Sequence, residues 1–212
     1  MNIFQINRVI LTLVFLDFFL NGAVGTLAPF FAIFISENVA GGTITAVGAA
    51  VAVYWIVKSL FQLPIARWLD KTDGETDDFW AMFFGYLGAS AVPMIYFFAT
   101  DIWHIFAAQA FFGFCMAWAV PAWFSIFTRH LDKFRIGFEW SVYSVFSVGA
   151  ATAISGVLGG FLIDRFGFRA IFIIASILMF VSALGLLTLR RRIYPARDRL
   201  EKVIPERKLE KR

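Results

Sequence analysis

Apolar residues along this chain do not alternate with polar ones; they gather in long blocks. Six blocks stand out, at about residues 9–35, 43–66, 79–100, 102–128, 138–163 and 169–189. Each is about 21–27 residues long, and a helix needs about 20 to cross the hydrocarbon core of a bilayer. The two-residue alternation of a membrane β-strand is missing from them. The pattern predicts an all-α integral membrane protein with six transmembrane helices. A soluble fold of this length is excluded, because 60% of the 212 residues are hydrophobic and only 16% are charged, too few to cover a folded surface. The first block is longer than the roughly 7–15 apolar residues of a cleaved signal, so it reads as a retained helix.

The polar breaks between blocks set the orientation. FQLPIARWLDKTDGETDDF, residues 61–79, carries seven charged side chains in nineteen positions. A stretch so charged belongs in water, as a turn between the second and third helices. Arg8, Arg67, Lys71, Arg129, Lys133, Arg135 and ten basic residues from Arg190 onward fall on one face of the membrane, sixteen in all. The opposite face holds Arg165 and Arg169. An excess of Lys and Arg marks the cytoplasmic side, so both ends are expected in the cytoplasm and the protein in the plasma membrane. Trp68, Trp80 and Trp140 then lie near the inner boundary and Trp103 near the outer one, as interfacial aromatic belts require. The net charge of +4 resides in the tail, residues 190–212, whose ten basic and four acidic groups give +6 and leave −2 for residues 1–189. A nucleic-acid-binding face is therefore not expected. Cys115 is the lone cysteine, so no intrachain disulfide forms.

Two charges fall inside apolar blocks. Asp17 lies nine residues beyond Arg8, and Lys58 nine residues before Arg67. At about 1.5 Å per residue, both sit about 14 Å from the cytoplasmic edge, where an ion pair between them is geometrically possible. Unpaired, each is costly at that depth, by about 2.5–3.5 kcal/mol or more. Asn21 follows Asp17 by one helical turn. Gln109 lies near mid-membrane on the fourth helix, and Trp118 and Tyr143 supply aromatic walls with polar tips. Asp17, Asn21, Lys58, Gln109, Trp118 and Tyr143 are the candidate binding residues, facing a wet central cavity. Arg129 and Glu139 flank the cytoplasmic turn between the fourth and fifth helices and are candidates for gate salt bridges. Gly149, Ala153, Gly156 and Gly160 recur at helical spacing on the fifth helix, and small residues on one face let another helix come close. That helix belongs either to the same bundle or to a partner.

The chain also repeats itself. Pro29 in PFFAIFIS returns as Pro121 in PAWFSIFT, and Asp70 in ARWLDK returns as Asp164 in GFLIDR, at offsets of 92 and 94. Helices one to three thus resemble helices four to six, and an odd number per repeat inverts the second triplet in the membrane. Asp70 and Asp164 follow helix ends, where a carboxylate can cap a neighbouring helix N-terminus or pair with a base such as Arg67, Lys71 or Arg165.

These motifs resemble the major facilitator superfamily, over about residues 1–190 and for one six-helix half of that family's usual twelve helices. ARWLDKTDGE keeps Asp70, Lys71 and Gly74 of the family's signature after its second helix, with Ala66 for the first glycine and Glu75 where a base is usual. GGFLIDRFGFR keeps Gly160, Asp164, Arg165, Gly167 and Arg169. QAFFGFCMAWAVPAW is similar to the family's fourth helix, with Gln109 where an Arg is frequent, and SGVLGG to its fifth-helix ending. The resemblance implies a half bundle of two inverted three-helix repeats and a secondary transporter that moves a small solute by alternating access. The expected partners are a small-molecule solute, with proton coupling through Asp17 as a candidate, membrane lipid, and either a second copy or a separate six-helix half. An even helix count lets two copies sit parallel, as the family's two halves do. The tail EKVIPERKLEKR reads as a cytoplasmic linker, so the chain is also readable as an N-terminal half.

Two other functional classes fit the residues less well. An intramembrane enzyme is not expected: His104 and His130 lie near opposite edges, and HExxH and GxSxG are missing. Two separated histidines and one cysteine make no metal cluster, and no cofactor is implied. A non-transporting membrane scaffold is the alternative, with less reason to carry Asp17 and Lys58.

Overall fold

The computed structural model of the chain describes residues 6–71, 75–190 and 193. Gly74 of the signature stretch and almost all of the 190–212 tail lie outside them. Among the described residues, five helical rods are long and apolar enough to cross a membrane: α1 (Arg8–Asn38), α2 (Ile44–Leu69), α3 (Thr76–Phe98), α4 (Ile102–His130) and α5 (Ile136–Leu189).

Short polar residues start the rods. The Asn7 side chain accepts from the Val9 amide at 2.9 Å, and that of Asp101 from the Trp103 amide at 2.9 Å. The Thr43 hydroxyl accepts from the Ala46 amide at 3.1 Å. Each of these satisfies an amide that the helix itself leaves without an acceptor. Pro29 falls where α1 tightens into a 3-10 turn, Ala28–Phe30, because proline cannot donate to the preceding turn.

The fifth rod is not one straight helix. Gly167 has φ +73° and ψ 177°, a conformation that a residue with a Cβ rarely adopts. Contacts on either side of it run in opposite directions along α1. In residues 136–166, Ser147 Oγ donates to Val14 O at 2.7 Å, and further on Gly159 lies against Thr26 and Phe30. In residues 168–189, Phe168 and Phe172 meet Phe34, and further on Ser182 Oγ donates to Leu16 O at 2.8 Å. The first arm of α5 therefore runs alongside α1 in the same direction, and the second arm returns.

Packing places α1 between the two arms of α5, α3 against α4 and α5, and α2 along α4. Small residues make the close seams. A Cβ on Gly85 would meet Ala119 Cβ and Cys115 O at 2.7 Å, and one on Gly113 would meet Tyr54 O at 2.5 Å. Of the 26 residues of α2, only Ala50, Ile65 and Leu69 are buried, and its contact with α1 lies mainly at residues 31–38. At one end of the bundle, Ala40 N donates to Thr100 O and Ile102 N to Ala40 O, both at 3.0 Å, tying the α1–α2 turn to the α3–α4 turn. Arg8, Arg67, Lys71 and Arg129 gather at the opposite, basic end.

Candidate functional site

Asp17 is 5% exposed and forms no ion pair among the described residues; the groups that bond it are neutral and polar. Tyr86 Oη, from α3, donates to Asp17 Oδ1 at 2.5 Å, and Asn21 Nδ2 donates to Oδ2 at 3.1 Å. Tyr143 approaches both groups from α5. It opens a π-helical stretch, Tyr143–Ala150, whose extra residue per turn re-aims the side chains on either side of it. Three rods thus converge on one carboxylate. Asp17, Asn21 and Tyr143 are brought together. Tyr86 joins them, although a tyrosine in an aromatic-rich helix carries no signal of its own in the sequence.

Lys58 lies elsewhere. Its ammonium sits over the Trp55 ring at 4.6 Å from the centroid and 5.7 Å from that of Tyr54. Equal depth on consecutive helices does not bring it to Asp17, because α2 leans on α4 and not on the middle of α1. The cation–π contact offsets part of its desolvation.

Gln109 is 8% exposed and lines a cavity of about 290 Å³ between α1, α2, α3 and α4. Phe31, Tyr54, Trp55, Tyr96 and Phe112 supply most of the wall. Trp118 faces a different, almost wholly apolar groove on α3 and α4, where it meets Trp68 at 5.9 Å between centroids.

At the basic end, charged groups of α3, α4 and α5 interlock, and the neutral Asn7 at the start of α1 joins them. Asp78 pairs with Arg129. Glu75 Oε1 is 3.7 Å from His130 Nδ1, and Glu139 Oε2 accepts from the Asp132 amide at 3.1 Å. Asn7 Nδ2 donates to His130 O at 3.3 Å. The charged turn is thus only partly hydrated: Arg67, Asp70 and Lys71 are exposed, while Glu75 and Asp78 are each 1% exposed. Glu139 is fully buried, against the α4–α5 turn. The doublet of Asp77 and Asp78 in the first turn of α3, facing a basic end to α4, is the sequence signal for this cluster.

Asp164 and Arg165 are exposed at the far end, where Arg165 lies over Phe161 at 5.8 Å. Of the small residues on the first arm of α5, Gly149 and Ala153 are exposed, and a Cβ on Gly156 would meet nothing within 4 Å. Gly160 touches Phe30. The face that packs on α1 is instead Ala151, Ser155 and Gly159.

A sequence profile described as Major Facilitator Superfamily matches residues 10–210. Among solved structures, the POT family transporter PepTSo, determined in meso, is similar with a TM-score of 0.68 and 14% identity over 89% of this chain. At that identity the likeness is one of fold. This chain spans 39% of the length of PepTSo. No curated protein matches.

Proposed function

The chain belongs to the major facilitator superfamily, and from that premise we propose that it forms one lobe of a secondary transporter moving a small solute by alternating access. The two arms of α5 count as separate crossings in this reading, giving six helices in two inverted triplets, with both ends in the cytoplasm. The second lobe is another copy or a separate six-helix chain.

The observation that carries the reading is α2. Along nearly its whole length it is covered on one side only. The face it leaves open adjoins a cavity lined by Gln109 and by Trp55, the ring on which the Lys58 ammonium rests. The small residues Gly149, Ala153 and Gly156 on α5 are a second uncovered surface, suited to close approach by a partner helix. Asp17, held by neutral donors, is the group through which proton coupling would run, because a carboxylate without an ionic partner can change charge without breaking a salt bridge.

Purified protein in liposomes tests this by flux measurements over several solute classes, with mass measurement in native-like lipid. Saturable flux that falls when Asp17 is replaced by Asn supports the reading. A well-folded protein with no flux for any class, or a transporting monomer, refutes the transport or the two-lobe part respectively.

A further inference from the structure

The cavity between α1, α2, α3 and α4 is nearly all aromatic and aliphatic, with Gln109 and the tyrosine hydroxyls as its polar groups. At about 290 Å³ it is close to the lower limit for small-molecule sites. Two charges lie near its depth, and they are not equivalent. Neither is a lining residue of the cavity, but both Asp17 oxygens are occupied by Tyr86 and Asn21, whereas the Lys58 side chain rests on two rings of the wall. Lys58 has no acidic partner among the described residues, and its ammonium rests 4.6 Å from the centre of the Trp55 ring, itself part of the wall.

Aromatic walls of this kind would ordinarily suit an organic cation. Here the Trp55 and Tyr54 faces are already taken by the protein's own ammonium, so a cationic ligand meets like charge. We infer that the cavity takes a small amphipathic organic anion: a compact aromatic body bearing one carboxylate, with the body against Phe31, Tyr96 and Phe112 and the carboxylate drawn to Lys58. The carboxylate gains a charge-assisted hydrogen bond, and the body replaces lipid or water on the aromatic faces. This deepens the transporter reading and rests on it for the word substrate, whereas binding is measured apart from movement.

The test uses the full chain in lipid nanodiscs, with empty nanodiscs subtracted, and three probes of one skeleton: 2-naphthoate, 2-naphthalenemethanol and 2-naphthylmethylammonium. Equilibrium dialysis reads saturable binding. Naphthoate is expected to bind most tightly. Lys58→Gln should weaken it about ten- to a hundredfold, to the level of the alcohol, as loss of a hydrogen bond to a charged group implies. Lys58→Arg, which keeps the charge, should restore most of the binding and guards against a folding artefact. Equal or tighter binding of the ammonium probe, no saturable binding of any probe, or naphthoate binding indifferent to Lys58→Gln would overturn the inference. Naphthoate bound, with no flux of any solute class in liposomes, would leave the ligand class standing and remove the transport reading. Flux of an organic cation without naphthoate binding would do the reverse.

Discussion

Replacing Tyr86 by Phe deletes one hydroxyl and keeps the ring, so it isolates the contact that holds Asp17. The oxygens are 2.5 Å apart, in the range of about 2.5–2.7 Å for a hydroxyl on a carboxylate rather than the 2.7–2.8 Å typical of neutral pairs. Asp17 is 5% and Tyr86 4% exposed, so water does not substitute easily for the lost donor. A hydrogen bond to a charged group contributes about 1.5–3 kcal/mol, and stranding a buried acceptor costs about 1–3 kcal/mol. We therefore expect Tyr86→Phe to destabilise the bundle by about 2 kcal/mol. A double-mutant cycle with Asp17→Ala removes the confounding gain from taking a carboxylate out of lipid. The coupling energy should be about 1.5–3 kcal/mol, well beyond the roughly 0.3–0.5 kcal/mol within which independent sites add. The assay is reversible unfolding in mixed micelles, followed by tryptophan fluorescence, for the parent, both single variants and the double. Additivity within that margin would refute the claim that Tyr86 holds Asp17.

Gly113→Ala puts a Cβ 2.5 Å from Tyr54 O, which is backbone and cannot swing aside; despite a gain of about 1 kcal/mol in helix propensity, overpacking of about 1–3 kcal/mol should give net destabilisation in the same unfolding assay. Asp78→Asn removes the charge that Arg129 meets at the basic end and should cost about 1–3 kcal/mol, whereas Asp70→Asn, at an exposed position, should change stability by less than about 0.5 kcal/mol. In a Cys115→Ser background, single cysteines at Lys71 and Arg165 should react with a membrane-impermeant maleimide from opposite sides of sealed vesicles; labelling from one side would refute the six-crossing topology.

What the sequence made legible follows from what period and charge encode. Long apolar blocks mark helices in lipid because each residue there must be compatible with hydrocarbon. Asp17 was visible as a charge inside such a block, and its depth followed from counting residues to Arg8. Its partner was not visible. Tyr86 lies 69 positions away among other aromatics, and nothing local distinguishes a tyrosine that donates to a carboxylate from one that merely packs. Counting residues also fixed Lys58 at the depth of Asp17, but depth says nothing about direction around the helix. The close seam at Gly113 holds α2 to α4, and the ammonium settles on Trp55. The glycine face of α5 shows a third limit. Spacing tells which residues share a face of a helix and not which face a neighbour takes: Ala151, Ser155 and Gly159 pack on α1, while Gly149, Ala153 and Gly156 lie on the side the bundle leaves open.

The distribution of polar contacts bears on where such a lobe yields. At the basic end, α1, α3, α4 and α5 are joined by directional links: Asn7 to His130, Asp78 to Arg129, and Glu139 to the α4–α5 turn. Each link is lost outright over a short displacement and can re-form, unlike an interdigitated apolar seam. In the middle, Asp17 ties α1 to α3 and the nearby Tyr143 of α5. No comparable polar tie among the described residues reaches α2, whose long contact with α4 is close-packed around Gly113 and whose contact with α1 is confined mainly to residues 31–38. The weakest boundary in the lobe is therefore the one between α1 and α2, beside the cavity wall. Helix α2 should shift against α1 by tilting on its seam with α4, carrying Lys58, while α1, α3, α4 and α5 stay joined through the Gly85 seam and the polar links and keep Asp17 and Gln109 in place. The two candidate charges then sit on bodies free to shift against each other, an arrangement an Asp17–Lys58 ion pair would have locked.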